Sequence, residues 1–195
     1  MKVKESDSNY WNKRYIESNT GWDIGYANPV LVEYVKENYS FDDKILIPGA
    51  GTAYEVADLI SEGYHNCYAL DFSQKAKDNF LKQNPKVPNQ NYLVNDFFEI
   101  DGKYDLILEQ TFFCAIHPSK RVDYVHHMSQ LLNKGGKLAG LLFEMEKEDG
   151  PPYGGSLEEY QELFSSSFDI NKLGKTDRSI DSRLGRELFF EFIKK

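Results

Sequence analysis

This chain predicts an α/β fold, a mostly parallel sheet with helices on both faces, and three observations carry the prediction. Short apolar runs alternate with helical patterns from residue 44 to the last residue, the order a parallel sheet imposes because each strand needs a crossover before the next can align. The first run, Lys44-Ile-Leu-Ile-Pro48, passes straight into Gly49-Ala-Gly-Thr-Ala-Tyr54, a strand-to-helix turn. The length of 195 residues suits one α/β domain with a sizeable core and falls short of two. A single domain over 1–195 is therefore expected, with 1–40 as an N-terminal cap segment and 41–195 as the sheet core.

The cap comes first because residues 1–40 hold both tryptophans, Trp11 and Trp22, together with Tyr10, Tyr15, Tyr26, Tyr34 and Tyr39. Strands are predicted at 44–48, 66–71, 90–94, 104–109, 136–143, 168–173 and 187–193. Ser73 is placed to cap a helix running through Leu81, since a hydroxyl can accept from the free donors of the first turn. The helix after Pro118 is predicted to carry Val122, Val125, Ser129 and Leu132 on one stripe and to stop at Gly135-Gly136. Ser156-Leu-Glu-Glu159 has capping-box spacing. The stretch 174–185 is polar and holds no long helix, so the last two strands are expected to pair antiparallel at the sheet edge.

Composition excludes several classes of function. A formal net charge of −8 and a sequence pI near 5.1 would repel a polyphosphate backbone, and no basic run offsets them, so nucleic acid is not expected as a partner. The two cysteines, Cys67 and Cys114, fall on a predicted buried strand and a loop, which supports no disulfide framework and fits a reducing cytoplasm. Residues 1–9 lack the apolar core of a leader, and no apolar run reaches bilayer length. Among the histidines, His126 and His127 diverge by about 100° around a helix, and His65 and His117 sit in separate loops. No zinc site is expected.

The turn at Gly49 and Gly51 is where the chemistry concentrates. Glycine lets backbone approach a ligand, and the helix that follows offers unpaired N–H groups to it. The second strand, Asn66-Cys-Tyr-Ala-Leu-Asp71, ends in an acid roughly 20 residues on, the spacing at which a carboxylate accepts from ribose hydroxyls. A dinucleotide turn needs a third glycine where this chain has Tyr54, and no Gly-Lys-Ser/Thr follows to cradle a polyphosphate. What remains is a nucleoside cofactor without phosphates, of which S-adenosylmethionine is the commonest.

Four segments resemble the small-molecule S-adenosylmethionine methyltransferases that include thiopurine methyltransferase and the plant halide and thiol methyltransferases. They are Tyr10-Trp-Asn-Lys-Arg-Tyr15 with Gly21-Trp-Asp23, then Pro48-Gly-Ala-Gly51, then Phe112-Phe-Cys-Ala-Ile116 with Pro118 and Arg121, and Gly150-Pro-Pro-Tyr153. The resemblance spans nearly the whole chain. It implies the seven-stranded class I methyltransferase sheet, Rossmann-like with an antiparallel edge strand, the cofactor lying over the carboxyl ends of the strands, and a monomer. It implies cofactor contacts at Trp11, Tyr15, Trp22, Gly49, Gly51, Asp71, Asp96 and Gln110, with Phe97 or Phe98 on the adenine ring. The family pattern is departed from at Ala53, where relatives often have glycine, and at Tyr15 and Gln110.

The acceptor implied is a small soft nucleophile: a thiol, bisulfide, thiopurine, thiocyanate or halide. Trp22, Phe113 and Tyr153 are expected to wall its pocket and Arg121 to orient an incoming anion, with no certain general base. Methyl transfer to oxygen or nitrogen of another metabolite stays open, as does cofactor binding without turnover.

Overall fold

A computed structural model describes residues 8–195; the segment 1–7, on which most of the leader reading falls, lies outside the described residues. Two helices, α1 (Ser8–Ile16) and α2 (Pro29–Asn38), come first. The strands are β1 (Ile45–Pro48), β2 (Cys67–Asp71), β3 (Tyr92–Val94), β4 (Tyr104–Gln110), β5 (Leu132–Phe143), β6 (Phe168–Lys175) and β7 (Glu187–Lys194). Between them run α3 (Tyr54–Ser61), α4 (Gln74–Gln83), α5 (Arg121–Leu131) and α6 (Leu157–Ser165).

The sheet is seven-stranded, in the order β3-β2-β1-β4-β5-β7-β6. β1 with β2, β2 with β3 and β4 with β5 are parallel, whereas β7 runs antiparallel to both β5 and β6. Every predicted strand is found, and the last two pair antiparallel as their polar connection required.

The chain divides into two compact units, Met1–Ile100 and Asp101–Lys195. In the first, β1 is buried along its whole length, as a central parallel strand with the sequence Ile-Leu-Ile-Pro must be. α3 packs on β2, α4 on β2 and β3, α2 on α3, and α1 on α4. Ser73 caps α4 as predicted, its hydroxyl accepting from the Ala76 N–H at 3.0 Å.

In the second unit, Phe164 of α6 meets Phe168 of β6 and Phe190 and Phe192 of β7, with ring centroids 4.8–6.4 Å apart. Two expectations are corrected here. The buried stripe of α5 is Arg121, Tyr124, Val125, Met128 and Leu131, while Val122 is 69% exposed. Apolar periodicity picked Val122 because it could not anticipate a buried arginine. Nor does α5 stop at Gly135-Gly136: the chain passes from Leu131 directly into β5. Those glycines serve the strand, where a Cβ at Gly136 would sit 3.1 Å from the Tyr104 carbonyl oxygen. Of the capping box at Ser156, half forms: Ser156 Oγ accepts from the Glu159 N–H at 3.2 Å, but the Glu159 carboxylate turns to Arg121.

Candidate cofactor and acceptor sites

In the first unit the turn after β1 is held open by three left-handed residues, Gly49 at φ 63°, Gly51 at φ 54° and Ala53 at φ 50°. Ala53, which has a side chain, takes this left-handed conformation at the N-cap position of α3. Gly51 has a second reason to lack a side chain, because a Cβ there would collide with the Tyr15 hydroxyl. The turn is pinned from three sides. The Gly51 carbonyl accepts from the Tyr92 hydroxyl at 2.6 Å, Ala50 N–H donates to the Leu70 carbonyl at 3.0 Å, and Gly51 N–H donates to Asp71 Oδ2 at 2.9 Å.

Asp71 closes β2, and its other oxygen accepts from the Ser73 N–H at 2.8 Å. Burial pushes its carboxyl up to about 6, against the pull of the backbone donors of Ser73, Gly51 and Phe72. A partly exposed carboxylate that is short of solvent and already oriented suits a neutral diol: it gains charge-assisted bonds there without a cation to compete.

Around this acid the N-terminal aromatics gather. Tyr15 is 8% exposed, and its phenol is raised by burial and then by the Asp71 charge, with Asp23 adding less. Trp22 meets Trp11 at 5.4 Å and Tyr15 at 5.8 Å between ring centroids, both edge-on, and the Arg14 guanidinium lies 4.9 Å from the Trp22 ring. Asp23, from the Gly21-Trp-Asp23 motif, accepts from the Gly25 N–H at 2.8 Å and from the Thr52 hydroxyl at 3.4 Å, bringing the cap segment to the turn itself. Beyond β3, Asp96 accepts from the Phe98 N–H at 2.9 Å through Oδ1. Phe97 is 3% exposed and Phe98 37%, so Phe98 is the one of the pair with ring surface to offer.

The second unit carries the other motifs. Gln110 ends β4 and is partly exposed. Beside it Glu109 is 1% exposed, its Oε1 accepting from the Phe112 and Phe113 N–H groups at 2.8 Å each and its Oε2 from the Tyr124 hydroxyl at 2.5 Å. Burial pushes Glu109 up to about 7 in spite of these donors. Phe113 is 1% exposed, edge-on to Tyr124 at 5.1 Å and Tyr160 at 5.5 Å.

Arg121 is 5% exposed and already partnered. Its guanidinium lies 4.7 Å from the Phe113 ring and donates to Glu159 Oε1 at 2.5 Å and to the Gly154 carbonyl at 2.7 Å. Tyr153 N–H donates to the Cys114 carbonyl at 2.7 Å, and its ring stands edge-on to His117 at 5.4 Å. A Cβ at Gly150 would run into the Tyr153 ring. Thus Phe113, Arg121 and Tyr153 do come together, tying the turn after β4 to the Gly150-Pro-Pro-Tyr153 turn. Cys114 lies between them as an inert thiol: burial, then the Glu109 charge, push it up to about 12, against Arg183 and Arg121.

Sequence reasoning missed Glu109, Tyr92 and Arg183, and singled out Asp23 only as part of a motif. Glu109 had a signal, an acid closing the apolar run Leu106-Ile-Leu108. Arg183, 7% exposed and facing Glu187 and Phe143, had none. Among the described residues no three His, Cys, Asp or Glu side chains approach closely enough to hold a metal, and no helix is long and apolar enough to cross a membrane.

A family model described as thiopurine S-methyltransferase matches residues 6–188. A probable thiol methyltransferase 2 from Arabidopsis thaliana is 34% identical over 192 residues, covering 95% of this chain and 84% of that one. The thiocyanate methyltransferase 1 of Brassica oleracea is 29% identical over 184 residues, covering 91% and 81%. The crystal structure of magnesium protoporphyrin IX methyltransferase from Synechocystis PCC 6803 with bound S-adenosylmethionine superposes with a TM-score of 0.76, at 16% identity, covering 100% of this chain and 99% of that one.

Proposed function

The chain belongs to the thiopurine S-methyltransferase family and is an S-adenosylmethionine-dependent methyltransferase, and from that premise we propose that it methylates a small soft nucleophile, a thiol or bisulfide first, by direct in-line displacement. Bound cofactor supplies an electrophilic methyl on a sulfonium. Asp71 holds the ribose, Gly49 and Gly51 let the backbone come close, and Asp96 with Phe98 receives the adenine. Trp11, Tyr15 and Trp22 cover the charged end, where aromatic faces attract a cation by about 0.5–2 kcal/mol.

One observation carries the acceptor class. Around the turn after β4, Glu109, Arg121 and Cys114 are engaged with protein partners, and His117 Nδ1 faces the Ser119 hydroxyl at 2.9 Å, which suits an acceptor that ionises unaided. A thiol with an ordinary pKa near 8.5 is partly anionic around neutral pH, so positioning and exclusion of water carry the rate. The buried, raised thiol of Cys114 is ill suited to act as a nucleophile, which supports a displacement without a covalent enzyme intermediate. The names of the relatives, a probable thiol methyltransferase and a thiocyanate methyltransferase, support the same class. Arg121 serves this pocket by holding Gly154, and through it Tyr153, in place. We read 1–195 as one methyltransferase domain acting as a monomer on a small molecule, with its buried free Cys67 and Cys114 suited to the cytoplasm.

The test is incubation with methyl-labelled S-adenosylmethionine and a panel of bisulfide, small thiols, a thiopurine, thiocyanate, iodide, alcohols and amines. Thiols or bisulfide should turn over fastest. Faster turnover of a hydroxyl or amine would overturn the acceptor class, and tight S-adenosylhomocysteine binding with no product from any acceptor would favour a protein that binds without turnover.

A further inference from the structure

We infer that Asn12 is a positioning residue that ties the N-terminal aromatic helix to the Asp71 carboxylate, so that cofactor capture and docking of α1 are a single event. The inference rests on the reading of Asp71 as the ribose ligand. Asn12 Oδ1 accepts from the Ser73 hydroxyl at 2.8 Å and from the Lys75 N–H at 3.3 Å. Ser73 is fully buried, and its own N–H donates to Asp71 Oδ1.

From Asp71 the chain of contacts continues. Oδ2 accepts from the Gly51 N–H, and the Tyr15 hydroxyl stands over Gly51 in the place a Cβ would take. Tyr15 belongs to α1, as does Asn12. The helix is thus held at two points to one carboxylate, through Ser73 on one side and over Gly51 on the other. Trp11, adjacent to Asn12 in sequence, and Tyr15, one turn on, both meet Trp22.

A ligand that draws on Asp71 therefore bears on Ser73 and Gly51, the two groups against which α1 is seated. Conversely, an undocked α1 would leave the Ser73 hydroxyl and the Lys75 N–H without their acceptor and Trp11 and Tyr15 away from the turn. Docking of α1 and occupation of Asp71 thus favour one another, and loss of either weakens the other. The Asn12 side chain needs to touch no ligand for this.

The experiment measures S-adenosylhomocysteine affinity by calorimetry, with tryptophan fluorescence as a second readout, for Asn12→Ala, Asn12→Asp, Ser73→Ala, the Asn12→Ala/Ser73→Ala double variant and Asp71→Ala. Asn12→Ala should weaken binding about five- to tenfold, the effect of one net hydrogen bond, and shrink the fluorescence change on binding. Asn12→Asp, which keeps an acceptor oxygen, should bind within about threefold of wild type. In the Ser73→Ala background the same Asn12→Ala change should have at most about a twofold effect, as coupled neighbours require. Equal affinity of Asn12→Ala and wild type, or an Asn12→Asp that folds by circular dichroism but binds no better than Asn12→Ala, would overturn the latch. Undiminished affinity in Asp71→Ala would instead overturn the ribose reading, so the two failures are distinguishable.

Discussion

Asp71 and Glu109 are built alike and used differently. Each closes a parallel strand or stands one residue from its end, each collects two backbone N–H groups from the turn that follows or faces it, and burial raises each well above the ordinary carboxylate range. The difference is what lies on the remaining side. Glu109 is sealed by the Tyr124 hydroxyl and the Phe112 and Phe113 rings against Tyr124, so its carboxyl is committed to shaping a turn. Asp71 is partly exposed, with the Tyr15 phenol close enough to feel its charge. A buried acid at a strand end is thus a device for setting a turn, and only one that keeps some exposure has room for a ligand.

The largest expected effect lies on the sealed member of the pair. Glu109→Ala strands two backbone donors and a phenol in a buried site, where each unpaired group costs about 1–3 kcal/mol, so a loss of roughly 3 kcal/mol or more is expected by denaturant unfolding. Asp71→Ala also strands two backbone donors, those of Gly51 and Ser73, but at a partly exposed position, so it should lose less stability than Glu109→Ala while weakening S-adenosylhomocysteine by about 10–150-fold, the worth of a charge-assisted bond of about 1.5–3 kcal/mol. A cofactor defect in the first and a folding defect in the second would reverse the comparison.

Glu109→Gln sharpens the comparison through pH. The folded carboxyl holds its proton up to about 7 and an ordinary one loses it near 4.5, so folding takes up a proton between those values. The stability this confers is complete below about 4.5 and is lost as pH rises to about 7. Glu109→Gln should flatten that slope, while leaving intact the loss of cofactor affinity on acidification below about 6, which belongs to Asp71. An unchanged slope in Glu109→Gln would locate the titration elsewhere.

Gly51→Ala should weaken the cofactor by displacing Tyr15 from its seat over the turn, with about 1 kcal/mol of backbone cost besides. Tyr15→Phe in the same chain should restore part of the affinity by removing the colliding hydroxyl. The smallest effect is expected at Val122→Lys, within about 0.5 kcal/mol, because that side chain is exposed. A large loss there would return Val122 to the buried stripe of α5.

Much of this molecule was legible in its residues. Apolar runs of the right length located all seven strands; in β1 and β4 the run is continuous because a central parallel strand is buried on both faces, whereas β6 lies at the antiparallel edge and is mostly uncovered. The left-handed turn at Gly49 and Gly51 and the strand-end acid at Asp71 could be located because backbone conformation and a strand-end carboxylate are local properties. What the tertiary structure alone decided was who partners whom. Arg121 reads as a surface cation or an anion hook, and becomes a buried brace only because Glu159 and the Gly154 carbonyl, far along the chain, converge on it. Asn12 reads as a polar residue between aromatics, and becomes a latch only because Ser73 stands opposite. Polar side chains take their roles from their partners, and partners distant in sequence meet only when the chain has folded.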